Sequence, residues 1–160
     1  MKKTYKLVVD SDVRGIDLSG LSDSIYSYLN DTHGWQKYGY SFEPVTHGED
    51  ILIRMSTPQT LDKLMGDRTL SCAELGGHLV NLNVYRWLYG SPASKLPLYS
   101  YRQYVVSHEI GHILGYQHVS IPSSGPCPIM VQQTLGIGNC IPNTSVLNLD
   151  IQSKKNQMIL

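Results

Sequence analysis

His108-Glu109-Ile110-Gly111-His112-Ile113-Leu114-Gly115-Tyr116-Gln117-His118 is the stretch on which the reading of this chain turns. At about 3.6 residues per turn, helical positions 108 and 112 lie about 40° apart around the axis and one turn apart in height. Two imidazoles on one face can therefore reach a single ion. Glu109 stands to the side of that pair, near enough to meet a water on the metal without displacing an imidazole. A site with one open position needs a third protein donor. On a continuous helix His118 would point away, but Gly115 lets the chain turn so that His118 swings back beneath the ion. The candidate metal ligands are thus His108, His112 and His118, the candidate base is Glu109, and the metal that suits this set is Zn2+. The competing account is an amphipathic helix that carries core histidines. Five fixed residues in this order arise by chance on the order of once in 10⁵ chains of this length. Gly111 also weighs against that account, because an interior helix glycine costs about 1 kcal/mol relative to alanine and something packed closely must justify it.

Outward from the motif, the sequence predicts an active-site helix over 100–115. Ser100 is the expected N-cap, with Gln103 three residues on to complete a capping box, and Gly115 takes the left-handed position that ends the helix. Upstream, Tyr5–Asp10, Tyr40–Val45 and Ile51–Met55 read as strands, and His78–Tyr85 as a less regular one. Leu18, Leu21, Ile25, Tyr28 and Leu29 recur at helical spacing within an expected helix over Leu18–Asn30. Thr57-Pro58 opens a short helix to Met65. Downstream, residues 116–145 hold four of the eight prolines and little periodicity. The expectation is an α+β fold with a small twisted sheet and helices, in a single domain over 1–160. Residues 1–115 form an upper lobe, and 116–160 a loop-rich lower lobe.

Composition narrows the partners. At 160 residues, 41% apolar and 16% charged, the chain is long and apolar enough for one real core. Lys plus Arg equals Asp plus Glu at 13 each, which leaves no net field to recruit nucleic acid or an anionic membrane. No apolar run approaches the roughly 18 residues of a membrane span. Met1-Lys2-Lys3 has the charge of an export signal, but Asp10 breaks the apolar run that should follow, so no signal peptide is expected in this chain. Tyr occurs eleven times against one Phe, which suggests a surface and cleft rich in amphipathic rings. Of the three cysteines, Cys127 and Cys140 close a short loop. A bridge there would stabilise by about 3 kcal/mol, and three reduced thiols remain an equal alternative. Cys72 reads as a buried thiol, and His33 and His47, in glycine-containing turns, as surface residues.

The eleven-residue segment resembles the zinc signature of the metzincin clan, HExxHxxGxxH. Pro128-Ile129-Met130 lies where those enzymes carry their Met-turn, which makes Met130 a structural floor to the histidines. Tyr101-Arg102-Gln103-Tyr104-Val105-Val106, the motif, Cys127-Pro128, Gln132-Gln133-Thr134, Cys140 and Pro142-Asn143 are similar to an actinobacterial family of zinc peptidase domains, chiefly over residues 70–145. The resemblance implies a metzincin-like fold and a zinc metalloendopeptidase acting on a peptide or protein substrate. It also implies extracellular location as in that largely exported family, and a substrate rail along an edge strand, for which His78–Tyr85 is the candidate, an ordinary strand being the equal alternative; a monomer is expected. Val119 after the third histidine matches none of the astacin, adamalysin or matrixin patterns. Gln132 replaces the tyrosine that astacin-like and serralysin-like enzymes carry two residues after the methionine. A zinc hydrolase of non-protein amides and a non-catalytic zinc-binding domain are the alternative functions.

Overall fold

The computed structural model describes the backbone of residues 1–159 and the side chains of residues 1–154. Five strands form one mixed sheet: β1 (Lys2–Val9), β2 (Ser41–Pro44), β3 (Ile51–Ser56), β4 (Cys72–Ala73) and β5 (Leu79–Asn83), in the order β2-β1-β3-β5-β4. All neighbours are parallel except β4, which runs antiparallel to β5. β2 finishes opposite Tyr5 of β1, and β3 begins opposite the same residue. That stagger lets residues 45–50 carry the chain past β1, with Val45 N–H donating to the Tyr5 carbonyl and Asp50 N–H to that of Thr4.

Helices α1 (Leu21–Leu29), α2 (Pro58–Met65), α3 (Val84–Tyr89), α4 (Leu98–Ile113) and α5 (Asn148–Ile159) complete the fold. α1 begins after Gly20, three residues later than the periodicity of Leu18 suggests. α2 matches its expected span, its start fixed by the Thr57 side chain accepting the Thr60 N–H. The core joins the inner sheet residues Tyr5, Ile51, Ile53, Met55, Val80 and Leu82 to Ile25 and Leu29 of α1 and Tyr104 and Ile110 of α4. Among the described residues, no helix is long and apolar enough to cross a membrane.

Two expectations need correction. α4 starts at Leu98 and ends at Ile113, with Pro97 at its N-cap and no side-chain cap, so Ser100 lies inside the helix and the Ser100–Gln103 box does not form. Pro97, with its extended backbone and no N–H to donate, already supplies the stop that the box would have supplied. The strand expected over His78–Tyr85 ends at Asn83, whose side-chain Oδ1 accepts the N–H groups of Tyr85 and Arg86 and opens α3. β5 also lies inside the sheet, covered by β4. Cys72–Ala73 is the edge strand on that side, so His78–Tyr85 does not have the edge position expected of it.

The second half of the chain is loop-built from Gly115 to Leu147, apart from one 3-10 turn over Gln133–Leu135, but its tail is the helix α5. The loop is knitted locally. Cys127 and Cys140 are bridged and bury Ile137 beside them. The Asn143 side chain donates to the carbonyls of Cys127 and Ser145, and that of Gln133 to Pro128 and Asn143.

Candidate metal centre

α4 is buried on almost every side, as befits a helix between a sheet and a second lobe. Trp35 pins it from one side, its indole N–H donating to the Ser107 carbonyl at 2.8 Å. Gly111 is where the helix meets its neighbours most closely. A Cβ there would overlap the Met130 Sδ and stand 2.7 Å from Trp35 Cζ2. The interior glycine therefore has the packing reason that its cost demands.

The helix closes with a Schellman motif. Tyr116 N–H donates to the Gly111 carbonyl and Gly115 N–H to that of His112, each at 2.9 Å, with Gly115 at φ +99°. The reversal brings His118 back to the helix that carries the other two histidines. The ligand atoms of His108, His112 and His118 all lie within 4.8 Å of one another, and the three ring centroids are 4.7–5.3 Å apart.

Two of the rings are oriented by carbonyls. His108 Nδ1 is 2.8 Å from the Ile129 oxygen and His112 Nδ1 2.9 Å from that of Tyr116. A carbonyl only accepts, so each Nδ1 carries the proton and each Nε2 turns a lone pair to the common centre. His112 Nε2 and His118 Nε2 stand 3.1 Å apart. Two nitrogens bound to one tetrahedral ion through ~2.0 Å bonds would be about 3.3 Å apart. Burial holds all three imidazoles toward the neutral form, with His108 pushed down to about 3. Neutral imidazole is the form that ligates.

Glu109 is buried, and its Oε2 has no hydrogen-bond partner. Desolvation pushes its carboxyl up to about 8. A nearby dication would reverse that shift, and a water on the ion would satisfy the orphaned oxygen. The donor set and the unpartnered oxygen both fit a metal centre.

Support for the centre comes from below. Met130 is fully buried against Gly111, and its carbonyl accepts the Val119 N–H at 3.0 Å. Asp150 holds the peptide beneath His108: its carboxylate accepts N–H groups from Ile129 at 3.0 Å and from Met130 and Leu147 at 2.8 Å. Burial still holds this carboxyl above its ordinary range, against the lowering effect of those three donors. Sequence reasoning missed Asp150. Its only local signal was an acidic residue in the first turn of a helix, and α5 itself was not foreseen. Cys72, expected to be buried, is only half-buried; it lies on the edge strand and lines the same cavity as Glu109. His33 and His47 are on the surface as expected.

The sequence profile of the family described as a protein of unknown function, DUF3152, matches residues 2–158. This chain belongs to the DUF3152 family. No curated protein matches it. Among solved structures, this DUF3152 chain is similar to the archaemetzincin of Archaeoglobus fulgidus, at 16% identity and a TM-score of 0.54, over 96% of this chain and 99% of that one. It is also similar to the archaemetzincin of Methanopyrus kandleri, at 12% identity and a TM-score of 0.53, over 98% and 96% of the two chains. Myroilysin matches at 18% identity and a TM-score of 0.45 over 76% of this chain; the chain spans about half of it, 54% of its length. The α+β fold of this DUF3152 member is of the metzincin type.

Proposed function

We propose that this chain is a zinc-dependent metallopeptidase that hydrolyses peptide bonds, with His108, His112 and His118 as ligands and Glu109 as general base. The observation that carries the reading is the convergence, in one cavity, of three inward-turned Nε2 atoms with a buried carboxylate whose Oε2 has no partner. Zinc, when bound, supplies a Lewis acid for a carbonyl oxygen and a water acidic enough to ionise near pH 7.

The chain's own groups do the rest. The Ile129 and Tyr116 carbonyls keep the protons on Nδ1 of His108 and His112, so the Nε2 lone pairs stay available. Three neutral imidazoles leave the charge of the ion undiminished. Glu109 accepts the proton of the attacking water at its carboxylate and delivers it to the departing amine. A purely structural site has no use for a carboxylate at that place, which is why the catalytic reading is preferred to a binding role.

Elemental analysis after dialysis tests the site. One zinc per chain is expected, lost or much weakened in His118→Ala. Glu109→Ala is expected to keep the zinc and lose peptide hydrolysis. Wild-type protein without zinc after metal loading, or unchanged turnover in Glu109→Ala, would sink the proposal.

A further inference from the structure

The three-histidine cluster opens onto a cavity of about 490 Å³, and a second cavity of about 470 Å³ shares residues with it. Both fall in the size range of ligand clefts, roughly 300–1,000 Å³. They share two residues, His118 and Gln132, which form a ridge between them. The ridge is firmly built. Tyr104 Oη donates to the Val131 carbonyl at 3.2 Å and accepts the Gln133 N–H at 2.9 Å, so one buried hydroxyl clamps the chain on either side of Gln132. Tyr101 Oη meets Thr134 Oγ1 at 2.9 Å one residue further on.

The chemistry of the two walls is alike. Away from the histidines the first cavity is lined by Met65, Leu70 and Val105 beside uncharged polar groups such as Ser71 and Gln117, and the second by Val119, Ile121 and Leu135 beside Ser120. Among the described residues lining either one, Glu109 is the only Asp, Glu, Lys or Arg. Among those lining residues no Lys or Arg side chain is present to receive an acidic side chain. A basic side chain would find one carboxylate, which the proposed reaction already uses. An unpaired charge in such a wall loses solvation without compensation, whereas an apolar side chain gains by burial.

We infer that the substrate is an extended peptide that crosses the ridge at His118 and Gln132 and places uncharged, mainly apolar side chains in both cavities, one on each side of the scissile bond. The inference rests on the metallopeptidase reading and names its substrate class. The second cavity is assigned to the cleft because it shares His118, one of the three clustered histidines, and Gln132 with the first.

The test uses the zinc-loaded full chain, a proteome-derived peptide library and two variants at accessible wall positions, Leu70→Arg and Leu135→Arg. Wild type is expected to enrich Leu, Ile, Val, Met or Phe on both flanks of the cleaved bond. Each variant is expected to shift preference toward Asp or Glu by about tenfold or more, the two acting on opposite flanks. Charged residues enriched by wild type, or two variants that alter the same flank or neither, would overturn the inference. Anisotropy separates it from the reaction. Fluorescein-labelled Gly-Ala-Leu-Leu-Ala-Gly should bind Glu109→Ala about tenfold more tightly than its Asp-for-Leu counterpart, and Leu135→Arg should narrow that gap. Such binding without cleavage by wild type would refute the peptidase reading and sustain the cleft assignment; equal binding of both peptides would refute the cleft assignment.

Discussion

Replacing Asp150 should damage both the stability of the second lobe and the affinity of the metal centre. Oδ2 accepts the N–H groups of Ile129 and Leu147, and Oδ1 that of Met130. Ile129 and Met130 are fully buried, so Asp150→Ala leaves two donors that water cannot reach. At about 1–3 kcal/mol per orphaned group, the loss is about 2–6 kcal/mol, a large part of the 5–15 kcal/mol typical of a whole domain. Asp150→Asn keeps one acceptor. With its oxygen at the Oδ2 position it retains two of the three bonds and sets an amide N–H against the Met130 N–H, for a loss of about 1–3 kcal/mol. The Ile129 carbonyl that His108 Nδ1 uses belongs to the same peptide segment. Loosening it should weaken zinc by about 10–100-fold, as loss of an orienting partner typically does. Urea unfolding of the metal-free protein reads the first effect and chelator competition the second. A loss under about 1 kcal/mol in Asp150→Ala, with zinc affinity unchanged, would refute the idea that this carboxylate carries the floor of the site.

Gly111→Ala sets helix propensity, a gain of about 1 kcal/mol, against overlap with Met130 and Trp35, where overpacking costs about 1–3 kcal/mol. The melting temperature should fall, and a rise would show that the contact relaxes freely. For the metal-free protein, pH acts in two directions. Burial raises Glu109 to about 8, so the stability it contributes is present below its ordinary value and lost as pH climbs toward 8. His108 is depressed to about 3, so its contribution is present above its ordinary range and lost as pH falls toward 3. The two oppose each other between about pH 4.5 and 6.5, and the urea midpoint should decline on either side of that window. Glu109→Gln should remove the decline above about pH 6.5; a wild-type midpoint that stays flat from there to pH 8 would count against the buried, unpartnered carboxylate.

The three-histidine cluster was legible because its geometry is local. Four-residue spacing on a helix and one glycine reversal settle where His108, His112 and His118 go, whatever the rest of the chain does. α2 was legible for the same reason, with its start signal, Thr57 and Pro58, adjacent in one short segment. The start of α4 was not. Ser100 and Gln103 make a sound local capping box, but Pro97 stops the chain earlier, and two adequate start signals cannot be ranked without their surroundings. The end of β5 turned on the Asn83 side chain capping α3, a competition between strand and helix that an imperfect alternation of Leu79, Leu82 and Val84 does not resolve.

What the sequence determined by itself is therefore the α+β class, the helix that bears the motif and the convergence of three imidazoles with Glu109 beside them. The tertiary structure alone decided that Cys72–Ala73 and not His78–Tyr85 is the sheet edge, that Asp150 reaches back under His108, that Gly111 yields its side-chain space to Met130 and Trp35, and that two apolar cavities meet at Gln132. The physical reason is range. Spacing on one helix encodes contacts a few residues apart, whereas strand order, the reach of a buried carboxylate to Ile129 and Met130 far back in the chain and the walls of a cleft depend on packing among segments that no short pattern records.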